Sequence, residues 1–313
     1  NTATSGIITA TGVTAISGSI SDINDVLAAE TDQGNAGQQI DLDTDFTVTV
    51  TDTGSVAATT LTTLDSGVPG TVTATTVDTL TGTAAQVAAG ISSGGLTLDG
   101  DFTVTLTADS TATASDLKTI NTATSGIITA TGVTAITGSA SDVTDVLAVE
   151  TDQGNAGQQI DLDTDFTVTV SDTGNVSALT LTNIDDNTPG NVTVTNTVTL
   201  TGTAAQIRLA AQRDAANTLQ LAADFGATVD AGSVAATDLT TIVGQTSATI
   251  VATAATAITG TAAEVVAAID HAQVNHDDNF LVTLTADSTA AAADLKTINT
   301  ATILSITATG VAT

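Results

Sequence analysis

The chain has 313 residues, 34 of them acidic and 4 basic, for a formal net charge of −30. That balance excludes a nucleic-acid binder, which needs a basic footprint to meet phosphates, and docking on an anionic membrane surface by the same argument. Cys, Met, Trp and Tyr are absent, so the core is built from Val, Ile, Leu, Ala and five Phe. No apolar run approaches the roughly 18 residues of a membrane span, so no direct membrane insertion is expected. The lack of Cys fits an extracellular array, because stacked repeats do not depend on disulfides as small secreted domains do.

The chain opens on Asn1-Thr2-Ala3-Thr4-Ser5-Gly6-Ile7-Ile8-Thr9-Ala10, which recurs unchanged from Asn121. Asn299-Thr300-Ala301-Thr302 returns the first four residues, so the chain begins and ends at one phase of a repeat. A mature chain or a fragment of a longer array is the expectation. Gly18-Ser19…Asp22 then marks a helix start, because a Ser or Thr hydroxyl followed three residues later by an acid or its amide closes the first backbone N–H groups. The same start returns at Thr83…Gln86, Ser139…Asp142, Thr203…Gln206 and Thr261…Glu264.

Asp41, Asp43 and Asp45 follow, repeated as Asp161, Asp163 and Asp165. Read as a strand entry, the alternation puts three carboxylates on one side, where a hard cation with a taste for oxygen would relieve their repulsion. Ca²⁺ is therefore the one cofactor the residues suggest, against the plainer reading of a solvated acidic edge that deters sheet-to-sheet pairing.

Phe46-Thr47-Val48-Thr49-Val50 has the period-2 alternation of a half-buried strand. It returns at Phe102, Phe166, Phe225 and Phe280, which are all the aromatic residues of the chain. By subtraction of residue numbers the Phe recur about every 59 residues, a period of the kind that stacked arrays show. After each Phe strand comes a short helix candidate, such as Thr113-Ala114-Ser115-Asp116-Leu117-Lys118-Thr119-Ile120. Next is a β-rich stretch with a bend at Gly132, then the capped helix. The Phe are expected to form one internal column. Leu61, Leu117, Leu179, Leu239 and Leu295 are expected to form another. Pro69 and Pro189 mark matching turns.

Local departures come late. Arg208-Leu209-Ala210-Ala211-Gln212-Arg213-Asp214 extends one capped helix and holds half the basic residues. His271 and His276, with Asp277 and Asp278, occur in one unit only and read as a surface turn. Asn175-Val176-Ser177 and Asn191-Val192-Thr193 are glycosylation sequons that arise easily in Thr-rich repeats. Nothing resembles a nucleophile elbow, and no aromatic platform exists for a sugar substrate, so no enzyme is expected.

Leu80-Thr81-Gly82-Thr83-Ala84-Ala85-Gln86-Val87, Ile258-Thr259-Gly260-Thr261-Ala262-Ala263-Glu264-Val265 and Ala292-Ala293-Asp294-Leu295-Lys296-Thr297-Ile298 resemble repeats of very large surface proteins of marine cyanobacteria and of their phages' fibres. The composition is similar to that of bacterial surface-layer proteins. The resemblance spans essentially the whole chain and implies an extracellular, cell-surface structural or adhesive role, with Ca²⁺ as an ordering ion.

The chain reads as a single continuous repeat solenoid over 1–313, mainly β with short α-helices, its parallel strands stacked along one axis in about five units of ~59 residues. The units are 46–101, 102–165, 166–224 and 225–279, with partial units 1–45 and 280–313. The expected function is head-to-tail self-assembly into a filament, sheath or surface layer, with a second copy, and secondarily surface polysaccharide, as partner. The rivals are a spacer in a giant adhesin or phage fibre, a Thr array that orders ice or water, and a β-sandwich array, against which the capped helices argue.

Overall fold

The computed structural model describes residues 6–30, 40–107, 110–150, 159–285 and 290–308. Among them, six all-parallel sheets of two to five strands alternate with ten short helices, which makes a solenoid-like repeat fold. The chain divides into two compact units, Asn1–Ile136 with Asp145–Phe166, and Thr137–Thr144 with Thr167–Thr313.

In the first unit, Ile8–Thr9 pairs with Ile40–Asp41. Ala15–Gly18, Thr47–Val50, Val72–Thr73 and Leu96–Thr97 form a four-stranded sheet. Gly54–Ala57, Val77–Gly82, Thr103–Leu106, Ile128–Ala130 and Ile160–Leu162 form a five-stranded one. In the second unit, Gly174–Ser177, Val198–Gly202, Gly226–Val229, Ile250–Val251 and Val274–Asn275 form five strands. Gly232–Ala235, Ala255–Gly260, Leu281–Leu284 and Ile306–Ala308 form four, and Thr167–Val170, Val192–Val194 and Leu219–Gln220 run side by side.

The partner of a strand lies one coil away along the chain. Val48 faces Val72, Val72 faces Leu96, Leu80 faces Val104 and Ile258 faces Val282. A parallel pair needs a crossover of a dozen or more residues, and each coil supplies it as a second strand plus a helix. The separation widens at Val192↔Leu219, where helix Ala204–Ala215 has 12 residues against 8 in its counterpart Ala84–Ile91. All five expected helix starts form: Ser19, Thr83, Ser139, Thr203 and Thr261 each accept from the N–H three residues on. Two starts gain a further acceptor from the next coil, since Asp52 accepts from Ile20 N–H at 2.7 Å and Asp172 from Ala140 N–H at 2.6 Å.

Phe46, Phe102, Phe166 and Phe225 mark a different kind of coil, whereas the coil of Phe280 carries two strands among the described residues, Val274–Asn275 and Leu281–Leu284. An ordinary coil carries two strands before its helix, as Val72–Thr73 and Val77–Gly82 precede Ala84–Ile91. The coil of Phe46 carries three, Ile40–Asp41, Thr47–Val50 and Gly54–Ala57, each in a different sheet. The coil of Phe225 repeats this with Leu219–Gln220, Gly226–Val229 and Gly232–Ala235. At such coils one sheet ends its run, a second continues and a third begins. Three strands and a helix enclose a wider section than two, and a close-packed interior must fill it. Phe does so: the five are 0–3% exposed. In both five-stranded sheets that lie within one unit, the Phe-led strand is the central one. The expected single Phe column is thus one Phe per sheet, with Phe46, Phe102, Phe166, Phe225 and Phe280 each leading a strand of a different sheet.

The Leu column needs two corrections. Leu61, Leu117 and Leu239 are fully buried, but Leu179 is 46% exposed and its place is taken by Leu181. In helix Ala178–Asp186 the buried position is the fourth residue, as Leu61 is in helix Ala58–Gly67, and Leu179 is the second. Leu295 occupies the right position but is 36% exposed.

One buried bond recurs beside the Phe. Thr124, Thr246 and Thr302 are 5–7% exposed and donate to the carbonyls of Phe102, Phe225 and Phe280, while accepting from the N–H groups of Gly126, Ala248 and Leu304. Each hydroxyl ties one strand entry to the next. Beside Phe46 the link is direct, from Gly70 N–H at 3.1 Å, and a Cβ on Gly70 would lie 2.6 Å from the Phe46 carbonyl oxygen. Thr246→Val keeps the shape and strands a buried carbonyl and a half-buried N–H, so unfolding free energy is expected to fall by about 1–3 kcal/mol, with Thr246→Ser recovering most of it. Urea titration followed by circular dichroism reads the difference.

Candidate functional site

The alternation of the acidic rows predicts a strand face, and the structure breaks that alternation. Asp41 and Asp161 lie in strands Ile40–Asp41 and Ile160–Leu162, but the chain then turns at Thr44-Asp45 and Thr164-Asp165. Asp43 accepts from Asp45 N–H at 3.2 Å and Asp163 from Asp165 N–H at 3.1 Å, the two-residue side-chain turn that Asp favours. A turn curls Asp43 and Asp45 towards each other and ends the period-2 pattern that would have aligned them with Asp41. Among the described residues no group of three or more His, Asp or Glu side chains closes to metal-holding distance.

Within each turn the two carboxyls share a hydrogen bond. That bond, donated by Asp45, is the main reason Asp43 sits below the ordinary 3.8, helped by the backbone N–H of Asp45. Asp45 is raised by the same bond and by the charge of Asp43. Asp163 and Asp165 repeat both directions. The depressed member contributes stability above its unfolded pKa, lost as pH falls through its folded value. The raised member costs stability near neutrality, and the cost is relieved as pH falls through its raised value. Asp45→Asn with Asp165→Asn keeps a donor for Asp43 and Asp163 and removes the repulsion. The thermal midpoint is expected to rise slightly at neutral pH and low salt. The gain should vanish as pH falls through the raised carboxylate values, as read by calorimetry across pH. Asn279, before Phe280, is the natural version of this change.

A third acidic group lines a shallow cleft of about 260 Å³ formed by Thr75, Asp78, Asp99, Asp101 and the Phe102 strand entry. Asp78 accepts from Gly54 N–H at 2.9 Å and Asp99 from Gly100 N–H at 2.7 Å, so both carboxylates already serve the backbone. His271 and His276 do not converge. His271 accepts from Gln273 N–H, whereas the His276 ring bridges the carbonyls of Ile269 and Asp277 and stands edge-on to Phe280 at 5.2 Å. His276 is thus a half-buried tie between a helix end and the Phe, while His271, Asp277 and Asp278 are exposed and a turn lies at 272–273. Asn175 and Asn191, the sequon residues, are exposed.

The outward Thr form short ladders. Thr49, Thr73 and Thr97 stand in register, as do Thr81, Thr105 and Thr129, and Thr259, Thr283 and Thr307. Several Thr hydroxyls, Thr259 of the last ladder among them, turn towards the preceding coil. Thr79 and Thr103 bond each other at 2.7 Å, and Thr103, Thr134, Thr201 and Thr259 donate to Asp78, Ser110, Val176 and Val234 carbonyls. The Thr alternation predicts the ladders but not these rungs, because a carbonyl partner one coil away leaves no local signal.

Among the described residues no helix is long and apolar enough to cross a membrane. No protein-family model, curated protein or solved structure matches the chain.

Proposed function

We propose that the chain is a non-enzymatic structural protein of the cell exterior, whose stacked coils build a filament, sheath or surface layer by head-to-tail self-assembly. The observation that carries this reading is where the chain places its polar groups. Thr hydroxyls, Asp carboxylates and strand edges are used to bind one coil to the next. A parallel stack of this kind ends in strands whose outer N–H and C=O groups invite another strand, and a non-closing contact of that type grows fibres. The charge of −30 supports solubility of the sides while growth proceeds at the ends.

A Thr array that orders water is less well supported, since Thr79, Thr103, Thr201 and Thr259 give their hydroxyl protons to protein acceptors or to each other. The test is electron microscopy and sedimentation of the purified chain over a concentration series, with Ca²⁺ and with chelator. Fibres or sheets that grow with concentration are expected. A monomer under every condition overturns self-assembly and favours a passive spacer. Dissolution by chelator alone would support Ca²⁺ as a partner.

A further inference from the structure

Each Phe strand is entered through a tripeptide: Asp43-Thr44-Asp45, Asp99-Gly100-Asp101, Asp163-Thr164-Asp165, Ala222-Ala223-Asp224 and Asp277-Asp278-Asn279. Only the second has Gly after its leading Asp. Asp99-Gly100 is the one Asp-Gly pair in the chain, and there is no Asn-Gly pair. The reach of the leading carboxylate differs as well. Asp43 and Asp163 accept from the N–H two residues on, at 3.2 and 3.1 Å. Asp99 accepts from the very next N–H, that of Gly100, at 2.7 Å.

That difference decides what each carboxyl can do. A backbone nitrogen that attacks the side-chain carbon of the residue before it closes a five-membered imide, whereas the nitrogen two residues on closes a larger ring. Asp99 holds its carboxyl beside the one nitrogen that closes the small ring, and such an arrangement removes much of the cost of bringing the two groups together. Gly100 brings no Cβ to crowd the nitrogen, and its backbone is free to adopt the bend that closure needs. Thr44 and Thr164, by contrast, are β-branched and stiff. A Cβ built on Gly100 meets nothing within 4 Å, so no neighbour walls off the turn. Asp99 and Gly100 are exposed, and Asp99 lines the shallow cleft with Asp78 and Asp101, so water reaches the ring once it has formed.

We propose that Asp99-Gly100 is a site of spontaneous backbone isomerisation, where aspartate converts to isoaspartate. The Gly100 nitrogen bonds to Asp99 Cγ, the C–OH bond of the protonated carboxyl breaks, and the hydroxyl leaves with the amide proton as water. Water then opens the imide at one of its two carbonyls. Opening at Cγ restores aspartate. Opening at the main-chain carbonyl leaves the backbone running through the side chain, longer by one methylene, with a new free carboxylate. No electrons move to or from another group, and water is the only other reactant. The position gives the change a structural effect. The Gly100 carbonyl accepts from Ser125 N–H at 2.9 Å and from the Ser125 hydroxyl at 3.2 Å, so the added methylene displaces a bond between one coil and the next. The new carboxylate is the chemical group that an isoaspartyl methyltransferase esterifies, which makes an enzyme of that class the fitting partner. The reaction needs one copy of the chain and holds whether or not copies assemble.

The test ages the purified, folded chain in warm neutral buffer made with heavy-oxygen water. Peptide mass spectrometry with electron-transfer fragmentation then separates isoaspartate from aspartate. Heavy-oxygen-labelled isoaspartate is expected at Asp99 at least about tenfold faster than at Asp43, Asp163 or Asp277, whose leading carboxyls lack this neighbour. The φ of Gly100 is not positive, so Gly100→Ala fits the turn and keeps circular dichroism unchanged. It is expected to slow the reaction by about tenfold. Asp99→Asn is expected to speed it, because ammonia leaves an amide more readily than water leaves a carboxyl. Methylation by a recombinant isoaspartyl methyltransferase with labelled S-adenosylmethionine should rise in step with the Asp99 signal, and the Ser125 amide should exchange hydrogen faster in the aged chain. Equal rates at the compared Asp residues, no slowing in Gly100→Ala, or modification of Asp99 only after unfolding in urea overturns the site. Unchanged exchange at Ser125 in a modified chain overturns its effect on the coil-to-coil bond.

Discussion

Phe225→Ala is expected to cost about 3–5 kcal/mol, the range for emptying a buried aromatic site, and Phe225→Leu about 1–1.5 kcal/mol. The reason is geometric. Phe225 is fully buried and leads Gly226–Val229, the middle of three consecutive strands that belong to three different sheets. Every other buried apolar side chain of that coil is smaller: Leu219, Ala227, Val229, Val234, Ala236, Leu239 and Ile242. A coil with an extra strand cannot close on a cavity by a simple slide, because each strand is held in a separate ladder. In a stacked array stability is close to a sum of coil and interface terms, so the loss should be local. Hydrogen exchange is expected to accelerate most in residues 219–260 and least in the first compact unit. Urea titration gives the free energy. A cost below about 1 kcal/mol for Phe225→Ala would show that the three-strand coil does not need a large side chain.

What the sequence makes legible follows the same logic. Local signals suffice where the cause is local. Thr203 and Gln206 specify a helix start by three-residue spacing, and Thr103-Val104-Thr105-Leu106 specifies a strand by alternation. The expected fold, parallel strands with short helices in a repeat, follows from these, and the structure has it. What stays hidden depends on partners one coil away. Nothing in Phe46-Thr47-Val48 announces that its strand is the middle of three, since Val72, which sets the sheet, belongs to the next coil. Thr124 and Thr246 look like any other Thr until the Phe102 and Phe225 carbonyls are brought beside them. Leu179 reads as core because a helix two residues out of register still shows a Leu. Of the candidate site, Asp43 with Asp45 and Asp163 with Asp165 come together, whereas Asp41 and Asp161 stay in their strands. A turn residue after Asp43 outweighs the alternation that grouped all three.

Arg213→Met is expected to lower stability by about 2–4 kcal/mol, toward the lower side of the roughly 3–5 kcal/mol for breaking a buried pair, because the Arg213 side chain keeps 20% of its exposure. Asp185 is the reason. Its side chain is 7% exposed, and it receives Arg213 at 2.7 Å and the Thr218 hydroxyl at 3.1 Å. Arg213 also reaches Asp186 at 2.7 Å and the Thr182 carbonyl at 3.0 Å. Burial acts to lower the Arg213 pKa, but the bonds from Asp185 and Asp186 outweigh it and hold the guanidinium above its ordinary value. Removing the cation leaves a nearly enclosed carboxylate with one hydroxyl for company. The duplicated half shows how the chain avoids this where it has no Arg. Asp65, the counterpart of Asp185, accepts instead from the hydroxyl of Ser93, the counterpart of Arg213. That solution is closed to the second half, because helix Ala204–Ala215 is still running at residue 213, while helix Ala84–Ile91 has ended before 93. A hydroxyl on the longer helix is too short to reach, so Arg213→Ser should be no better than Arg213→Met. Adding Asp185→Asn to Arg213→Met removes the stranded charge and should recover about 1–2 kcal/mol, a coupling that a double-mutant cycle measures directly. If the cycle closes with no coupling, the pair is a surface contact and the longer helix is held by apolar packing of Ile207, Ala210 and Ala211 alone.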